Sequence, residues 1–482
     1  MTTSLDEEFL HRLQAIVGSD GLITAADELL VYECDGYTVE KCPPQVVVFP
    51  SSTAQVVAVV QLCQERRIPF LPRGAGTSLA GGCLPVGGGV IISLTRMRRI
   101  LEVNVRDRYA VVEPGLVNIH LTQHLKGTGY HYAPDPSSQG ACTVGGNFAT
   151  NSGGPHTLKY GVTVNHVLGA EVVLPDGSVV QLGGVVEDVP GYDLVGLFVG
   201  SEGTLGICTK LIVRLTRDPA AYRTMLGVFE TVDDATRAIS EIIGAGIVPA
   251  ALEMMDQGIV QAVEQAFHFG FPLDAGAVLL IEVDGLEVAV DGEAQKIAAL
   301  CRQCGAREVR QANSPKERQL LWKSRKQAFG AIGRLSPSYC TQDGVVPRTR
   351  LPEILRFITE CGRRHGLRIV NVFHAGDGNI HPILLFDERR PEEVRRVLQA
   401  SDEILTRCIE LGGSVTGEHG IGVEKISFMQ KLFTADDLAV MQAVHDCFNP
   451  TGLCSPGKML PTAAGCGNEA FPKATPGRRA AV

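Results

Sequence analysis

Ile68-Pro-Phe-Leu-Pro-Arg-Gly-Ala-Gly-Thr-Ser78 is a short apolar run opening into a glycine loop, and the reading of that loop decides the fold. A strand followed by Gly-x-Gly invites a dinucleotide-binding reading of the doubly wound type. That fingerprint needs a third glycine, which would fall at Leu79, and then a helix. The next residues, Ala80-Gly-Gly-Cys-Leu-Pro85, cannot open one, because glycine and proline are the two poorest helix formers. The loop can still form a nest of backbone N–H groups that suits a pyrophosphate. A second stretch, Pro134-Asp-Pro-Ser-Ser-Gln-Gly-Ala-Cys-Thr-Val-Gly-Gly-Asn147, continues through Ala149-Thr-Asn-Ser-Gly-Gly154, and a third is Gly200-Ser-Glu-Gly-Thr-Leu-Gly-Ile207. Each alone reads as an ordinary tight turn. Together they point to a long phosphate-bearing cofactor threaded through one region.

Outward from the loop, β-branched runs predict strands at Val46 to Phe49, Phe70 to Pro72, Val90 to Leu94, Tyr109 to Val112, Val167 to Leu174 and Ile207 to Leu215. Helical patterns interrupt them at Thr53 to Glu65 and Leu116 to Lys126. A proline-containing joint near Asp218 leads to a second region, with helices over Val232 to Ala245 and Gln257 to Phe267 and a strand over Ala277 to Val283. The fold class expected is α+β. The expected divisions are an N-terminal helix and entry (1–40), a cofactor domain (41–217), a substrate or cap domain (218–440), a returning segment (441–461) and a disordered tail rich in Ala, Gly and Pro (462–482).

With 482 residues the chain exceeds one ordinary core. Its 54 glycines, about 11%, exceed the roughly 7% usual in proteins, which fits turns and close backbone approach to a ligand. A formal charge of −9 and the lack of a basic stripe argue against nucleic acid. No apolar run nears the roughly 18 residues of a membrane span, and the start resembles no signal segment, so a cytoplasmic protein is expected. The 14 cysteines read as free thiols. The one CxxC, Cys301 and Cys304, lacks a second pair for an iron–sulfur or zinc site.

His374-Ala-Gly-Asp-Gly-Asn-Ile-His381 lies between apolar runs that read as strands, Arg368 to Phe373 and Ile380 to Phe386. In one regular strand, residues seven apart would face opposite sides. The interposed Gly376-Asp-Gly-Asn379 is turn chemistry that lets both histidines converge. Downstream stands Gly417-Glu-His-Gly420. Neighbouring side chains diverge, so Glu418 is assigned to a metal with His374 and His381, and His419 to the substrate. Three ligands and an open position is the catalytic pattern, and zinc suits it best, with manganese or iron as alternatives.

These segments, with Asn449-Pro-Thr-Gly-Leu-Cys-Ser-Pro-Gly-Lys458, together resemble the vanillyl-alcohol-oxidase superfamily of FAD enzymes, in its D-2-hydroxyacid dehydrogenase branch, over about residues 5 to 461. The resemblance implies a two-subdomain FAD domain and a cap with the substrate site. By it, Arg73, Gly74, Ala75, Gly76, Thr77 and Ser78 cradle the pyrophosphate. Pro134, Ser138, Thr143, Gly146, Asn147, Asn151, Gly153 and Gly154 line the cofactor, and Glu202, Gly203 and Ile207 lie toward its adenosine end. Some members attach FAD through a histidine in the first loop. Here that loop holds Ala75, Thr77 and Ser78, so noncovalent FAD is expected.

In Trp322-Lys-Ser-Arg-Lys326 the resemblance makes Arg325 the grip on a substrate carboxylate, whereas its residues alone read as a solvated helix face. Relatives acting on longer dicarboxylates have threonine where this chain has Phe329 and asparagine where it has Ile383, so a small 2-hydroxyacid, glycolate or D-lactate, is expected. His419 would be the catalytic base. Without iron–sulfur ligands of its own, the chain is expected to pass electrons to an iron–sulfur partner subunit, a quinone or a cytochrome, which could hold it at a membrane. The competing readings are a catalytically silent FAD-binding subunit and an FAD-dependent lyase or synthase.

Overall fold

The structure, a computed structural model, describes residues 5–187 and 190–461; the tail expected to be disordered, 462–482, lies outside them. The glycine loop hangs from a four-stranded sheet in the order Leu22–Ile23, Val46–Val48, Val90–Ser93, Phe70–Arg73, whose last three strands run parallel. Parallel neighbours need a crossover, and the helix Thr53–Arg66 supplies one. Ser52 caps that helix by accepting from Gln55 N at 3.3 Å, and Arg67, in the left-handed region, ends it. A second, antiparallel sheet runs Ile100–Asn104, Tyr109–Val112, Ile207–Arg214, Val167–Val173, Val179–Gly183.

Beyond residue 217 an antiparallel β-sheet is centred on Ala277–Gly285, flanked by Ala221–Phe229 and Ala251–Asp256. Alternate residues of these strands face opposite ways. Met225, Leu279 and Ile281 pack toward the helices Val232–Gly244, Glu287–Gln303, Leu351–His365 and Pro391–Glu410. Leu226, Val278 and Leu280 pack toward Gln257–Phe267, Trp322 and Ala328–Ile332. The period of two therefore builds a sheet with a core on each face.

Arg368–His374 joins this sheet beside Ala251–Asp256, with Glu253 opposite His374. The chain then turns, pairs Asn379 back to His374, and returns as Pro382–Phe386 with Pro382 opposite Asn371. Gly378 permits this with φ +83°; a Cβ there would run into the Val346 carbonyl. The last described segment reaches back to the first sheet. Phe70 N donates to Leu453 O at 2.9 Å and Ser455 N to Phe70 O at 2.8 Å.

Candidate active site

Where the strand Phe70–Arg73 ends, the loop folds against Thr143, the N-cap of Val144–Thr150, which accepts from Gly146 N at 3.1 Å. A Cβ on Gly74 would lie 2.5 Å from Thr143 Oγ1, so only glycine lets the two segments meet. Gly76 has φ +73°, and a side chain there would collide with the Arg73 guanidinium. Arg73 is buried over the Tyr32 ring at 5.5 Å, and its Nη1, like Ser78 Oγ, has no partner. Orphaned buried polar atoms cost about 1–3 kcal/mol each, which an anionic ligand would recover. The cradle therefore fits the pyrophosphate of FAD.

One continuous cavity joins this loop to the histidine cluster. Arg73 to Ser78, Ser138, Thr143, Gly146, Asn147, Glu202 and Gly203 line it, as do Arg325, His374, His381, Glu418 and His419. Other residues expected on the cofactor do not. Pro134 lends its carbonyl to Asn118 Nδ2, and Asn151 accepts from Val164 N at 2.9 Å. Gly154 is tucked against Asp135, and Ile207 is buried in the first sheet's core. Gly153 instead donates its N–H to Glu418 Oε2 at 3.2 Å. Glu202 lines the cavity but spends both oxygens on the glycine loop after His419, accepting from Ile421 N at 2.7 Å and Gly422 N at 2.8 Å.

His374 Nε2 and His381 Nε2 each stand 3.2 Å from Glu418 Oε1. A tetrahedral ion with bonds of about 2.0–2.2 Å separates its ligand atoms by roughly 3.3–3.6 Å, so the three side chains fit a divalent cation with little adjustment. Burial opposes charge on His374, yet Glu253 and Glu418 drive its pKa well above the usual value. Two carboxylates around one buried imidazole call for a positive charge, whether proton or metal. His419 does not diverge from the cluster as its neighbouring position suggests. Its ring stacks on His381 with centroids 4.9 Å apart, and its Nε2 is 4.0 Å from Glu418 Oε1. Burial is the largest cause lowering its pKa to about 4, with His381 and Lys425 adding to it against Asp343. The ring is therefore a neutral imidazole at neutral pH.

Two carboxylates that sequence reading missed fix this arrangement. Glu253 Oε1 lies 2.8 Å from His374 Nδ1, while its Oε2 accepts from Arg325 Nε at 2.7 Å. Asp343 Oδ2 gathers the Gly417–His419 turn, accepting from Thr416 Oγ1 at 2.6 Å, Gly417 N at 2.9 Å, Glu418 N at 3.1 Å and His419 N at 2.8 Å. Its other oxygen is 3.7 Å from His381 Nδ1. Burial favours protonation of Asp343, but His419, Lys425 and His381 hold its carboxyl well below the ordinary range. Neither residue belongs to the histidine or glutamate motifs, so only the tertiary fold reveals them.

Arg325 is fully buried, not on a solvated face, and it lines the cavity with Nη1 unpartnered. Trp322, one turn earlier on Pro315–Lys326, donates Nε1–H to Glu282 Oε2 at 2.7 Å and stacks on His156 at 5.0 Å. Burial works against His156 as a cation, but Asp135 at 2.9 Å and Glu282 at 3.6 Å raise its pKa to about 10. Lys326 also lines the cavity, 4.0 Å from Asp135. Phe329 lines it too. Ile383 does not; it sits in the sheet core with no exposure, and its expected contact with substrate is withdrawn. Tyr339, from the strand paired with Pro382–Phe386, reaches the cavity instead.

Comparison with known proteins agrees with this geometry. A profile for FAD linked oxidases, C-terminal domain, matches residues 218–459, and one for an FAD binding domain matches 44–183. The Escherichia coli K12 protein named glycolate oxidase subunit GlcD is 44% identical over 440 residues, 91% of this chain and 88% of that protein. A D-lactate dehydrogenase of Anaerostipes hadrus is 33% identical, over 90% of this chain and 91% of that protein. Among solved structures, p-cresol methylhydroxylase shares the fold at a TM-score of 0.80 and 18% identity, covering 94% of this chain and 96% of that one. The α+β architecture is accordingly that of vanillyl-alcohol-oxidase-type FAD proteins. With the glycine cradle and the cap cluster opening on one cavity, this chain belongs to the FAD linked oxidases.

Proposed function

We propose that the chain oxidises glycolate or a short D-2-hydroxyacid such as D-lactate to the 2-oxoacid. The observation that carries this reading is the convergence of an unpartnered Arg325 Nη1, a neutral His419 and the His374/His381/Glu418 set on the cavity that begins at the glycine cradle. The relatives named for glycolate and D-lactate support the substrate class. Bound FAD supplies the two-electron acceptor, and a divalent cation, zinc by this donor chemistry, supplies Lewis acidity.

The chain's own residues supply position and a proton acceptor. Arg325, one edge fixed by Glu253, offers its remaining edge to the substrate carboxylate. His374, His381 and Glu418 would hold the cation, which would supply Lewis acidity toward the hydroxyl. His419 takes the hydroxyl proton at Nε2, the ring atom nearest Glu418. Phe329 and Tyr339 also line the cavity. The division at residues 41–217, 218–440 and 441–461 follows the same plan: one part holds FAD, one holds substrate, and the last ties back to the cradle strand. The FAD is held noncovalently. Because the E. coli relative is named a subunit, electrons would leave through an iron–sulfur partner, a quinone or a cytochrome.

Anaerobic mixing of the FAD-loaded protein with glycolate and with D-lactate tests the reading. Bleaching of the flavin absorbance with stoichiometric 2-oxoacid is expected. A flavin unchanged by every short 2-hydroxyacid would leave a silent FAD-binding subunit, and turnover without 2-oxoacid would favour a lyase or synthase.

A further inference from the structure

On the far face of the cap, the helices Leu351–His365 and Pro391–Glu410 pack side by side. Cys361 and His365 are four residues apart on the first, so both side chains look the same way. Glu403 faces them from the second. The Cys361 Sγ lies 3.8 Å from Glu403 Oε2, and His365 Nε2 lies 2.9 Å from Glu403 Oε1. We propose that Cys361, His365 and Glu403 form a second cation site, selective for zinc or a similar borderline-soft divalent ion, that staples these two helices.

Donor chemistry and spacing support the site. A thiolate, an imidazole and a carboxylate together match zinc better than magnesium or calcium, which prefer oxygen throughout. A tetrahedral zinc ion places its sulfur and oxygen ligands roughly 3.6 Å apart and its nitrogen and oxygen ligands roughly 3.3 Å apart. The two measured separations run to different oxygens of Glu403, so the carboxylate must turn to present one oxygen to both; one ligand atom from each of the three residues already lies within 4.8 Å of the others. Access is open on one side only: Cys361 is buried in the core, whereas about a third of the Glu403 side chain is exposed. An ion would enter past Glu403 and keep a water as its fourth ligand.

Binding must displace competitors, and the balance can be written. Burial raises the Cys361 thiol to about 11, so the metal-free site carries S–H. Arg364 pairs with Glu403 at 2.7 Å and would swing outward, where its side chain is already 42% exposed. Zinc entry forms the Zn–S bond and releases the thiol proton to solvent; no electrons move. The site is independent of the reading of the cavity, because none of its ligands touches that cavity and the cavity's set contains no sulfur.

Cobalt(II) separates the two sites, since a thiolate ligand gives it an intense near-ultraviolet charge-transfer band that imidazole and carboxylate do not. The full chain is stripped with a chelator and titrated with cobalt(II), then with zinc. The wild type should develop the band, zinc should erase it, and Cys361→Ser and His365→Ala should each abolish it. His374→Ala should keep it, whatever becomes of the cavity's own metal. A wild type without the band overturns the proposal. So does a band that survives in Cys361→Ser, which would place the metal on another cysteine, or in His365→Ala, which would remove the imidazole from the ligand set. Should Cys361→Ser fold poorly, His365→Ala still decides, because its side chain lies at the helix end and is not part of the core.

Discussion

Glu253 stands directly opposite His374 across paired strands, its Oε1 2.8 Å from His374 Nδ1. Arg325 and His374 hold the Glu253 carboxyl below its ordinary value against the effect of burial, so it is an acceptor and Nδ1 carries the proton. Nε2 faces Glu418, where a bound metal would take the place of the proton that the two carboxylates favour. One carboxylate thus sets both the tautomer of a metal ligand and the edge that Arg325 shows to the cavity. Glu253→Gln should lower metal affinity about 10–100-fold, the usual effect of losing the partner behind a metal-bound histidine, while FAD content stays unchanged. Metal titration against a competing chelator reads the first and flavin absorbance the second. Unaltered metal affinity would mean that the strand pairing alone orients His374.

Removing the ligands themselves should behave differently from removing the base. Alanine at His374, His381 or Glu418 should abolish metal content and turnover together with FAD retained. His419→Ala should keep the metal and lose about 10²–10⁴-fold in rate. Asp343 lies within reach of both His381 and His419, so the alternative trio Asp343, His381 and His419 makes its own forecast. Metal loss in His419→Ala, with retention in Glu418→Ala, would exchange the roles of those two neighbours.

The glycine cradle has its own signature. Acid precipitation should release the flavin into the supernatant, since the loop holds no histidine to attach it. Gly76→Val should lose most bound FAD, because the position needs a positive φ and its Cβ would displace the Arg73 guanidinium. Flavin in the acid pellet would refute noncovalent binding, and full occupancy in the variant would take the loop off the cofactor.

His156 predicts a pH dependence of stability. Its pKa is raised from 6.5 to about 10, so its contribution is fully present below pH about 6.5 and is lost as pH rises toward about 10. A tenfold gain in proton affinity on folding stabilises by about 1.4 kcal/mol at most, and the His156 cluster should deliver a few kcal/mol. The urea midpoint of the wild type should fall between pH 7 and 10, while His156→Gln should start lower and stay flatter. An equal slope in the variant would assign the loss to other groups.

How much of this was legible in sequence follows from the range of each interaction. The hairpin that brings His374 and His381 together was readable because Gly376, Gly378 and the flanking runs are local signals. The strands around the glycine loop were readable for the same reason: a period of two needs only a few residues. Glu253 and Asp343 were not, since Glu253 meets His374 across 121 residues of chain and Asp343 meets the Gly417–His419 turn across more than 70. The burial of Arg325 was likewise invisible. Lys323, Arg325 and Lys326 look alike by residue type; the resemblance alone singled out Arg325, and the docking of Trp322 and Glu253 buries it.

Substrate length gives the sharpest test. With Ile383 in the core, the expectation of a small substrate rests on Phe329, which offers no hydrogen bond to a second carboxylate, and burying an unpaired carboxylate is costly. Lys326 pulls the other way as a cation on the same cavity, with Asp135 4.0 Å away but paired more closely with His156. Glycolate or D-lactate should therefore exceed D-2-hydroxyglutarate in kcat/KM by at least ~10-fold, a margin needing only about 1.4 kcal/mol of differential transition-state binding. Phe329→Thr should narrow the gap by improving the longer substrate. If D-2-hydroxyglutarate proves the better substrate and Lys326→Met removes that preference, the lysine serves the distal carboxylate and Phe329 does not set the length.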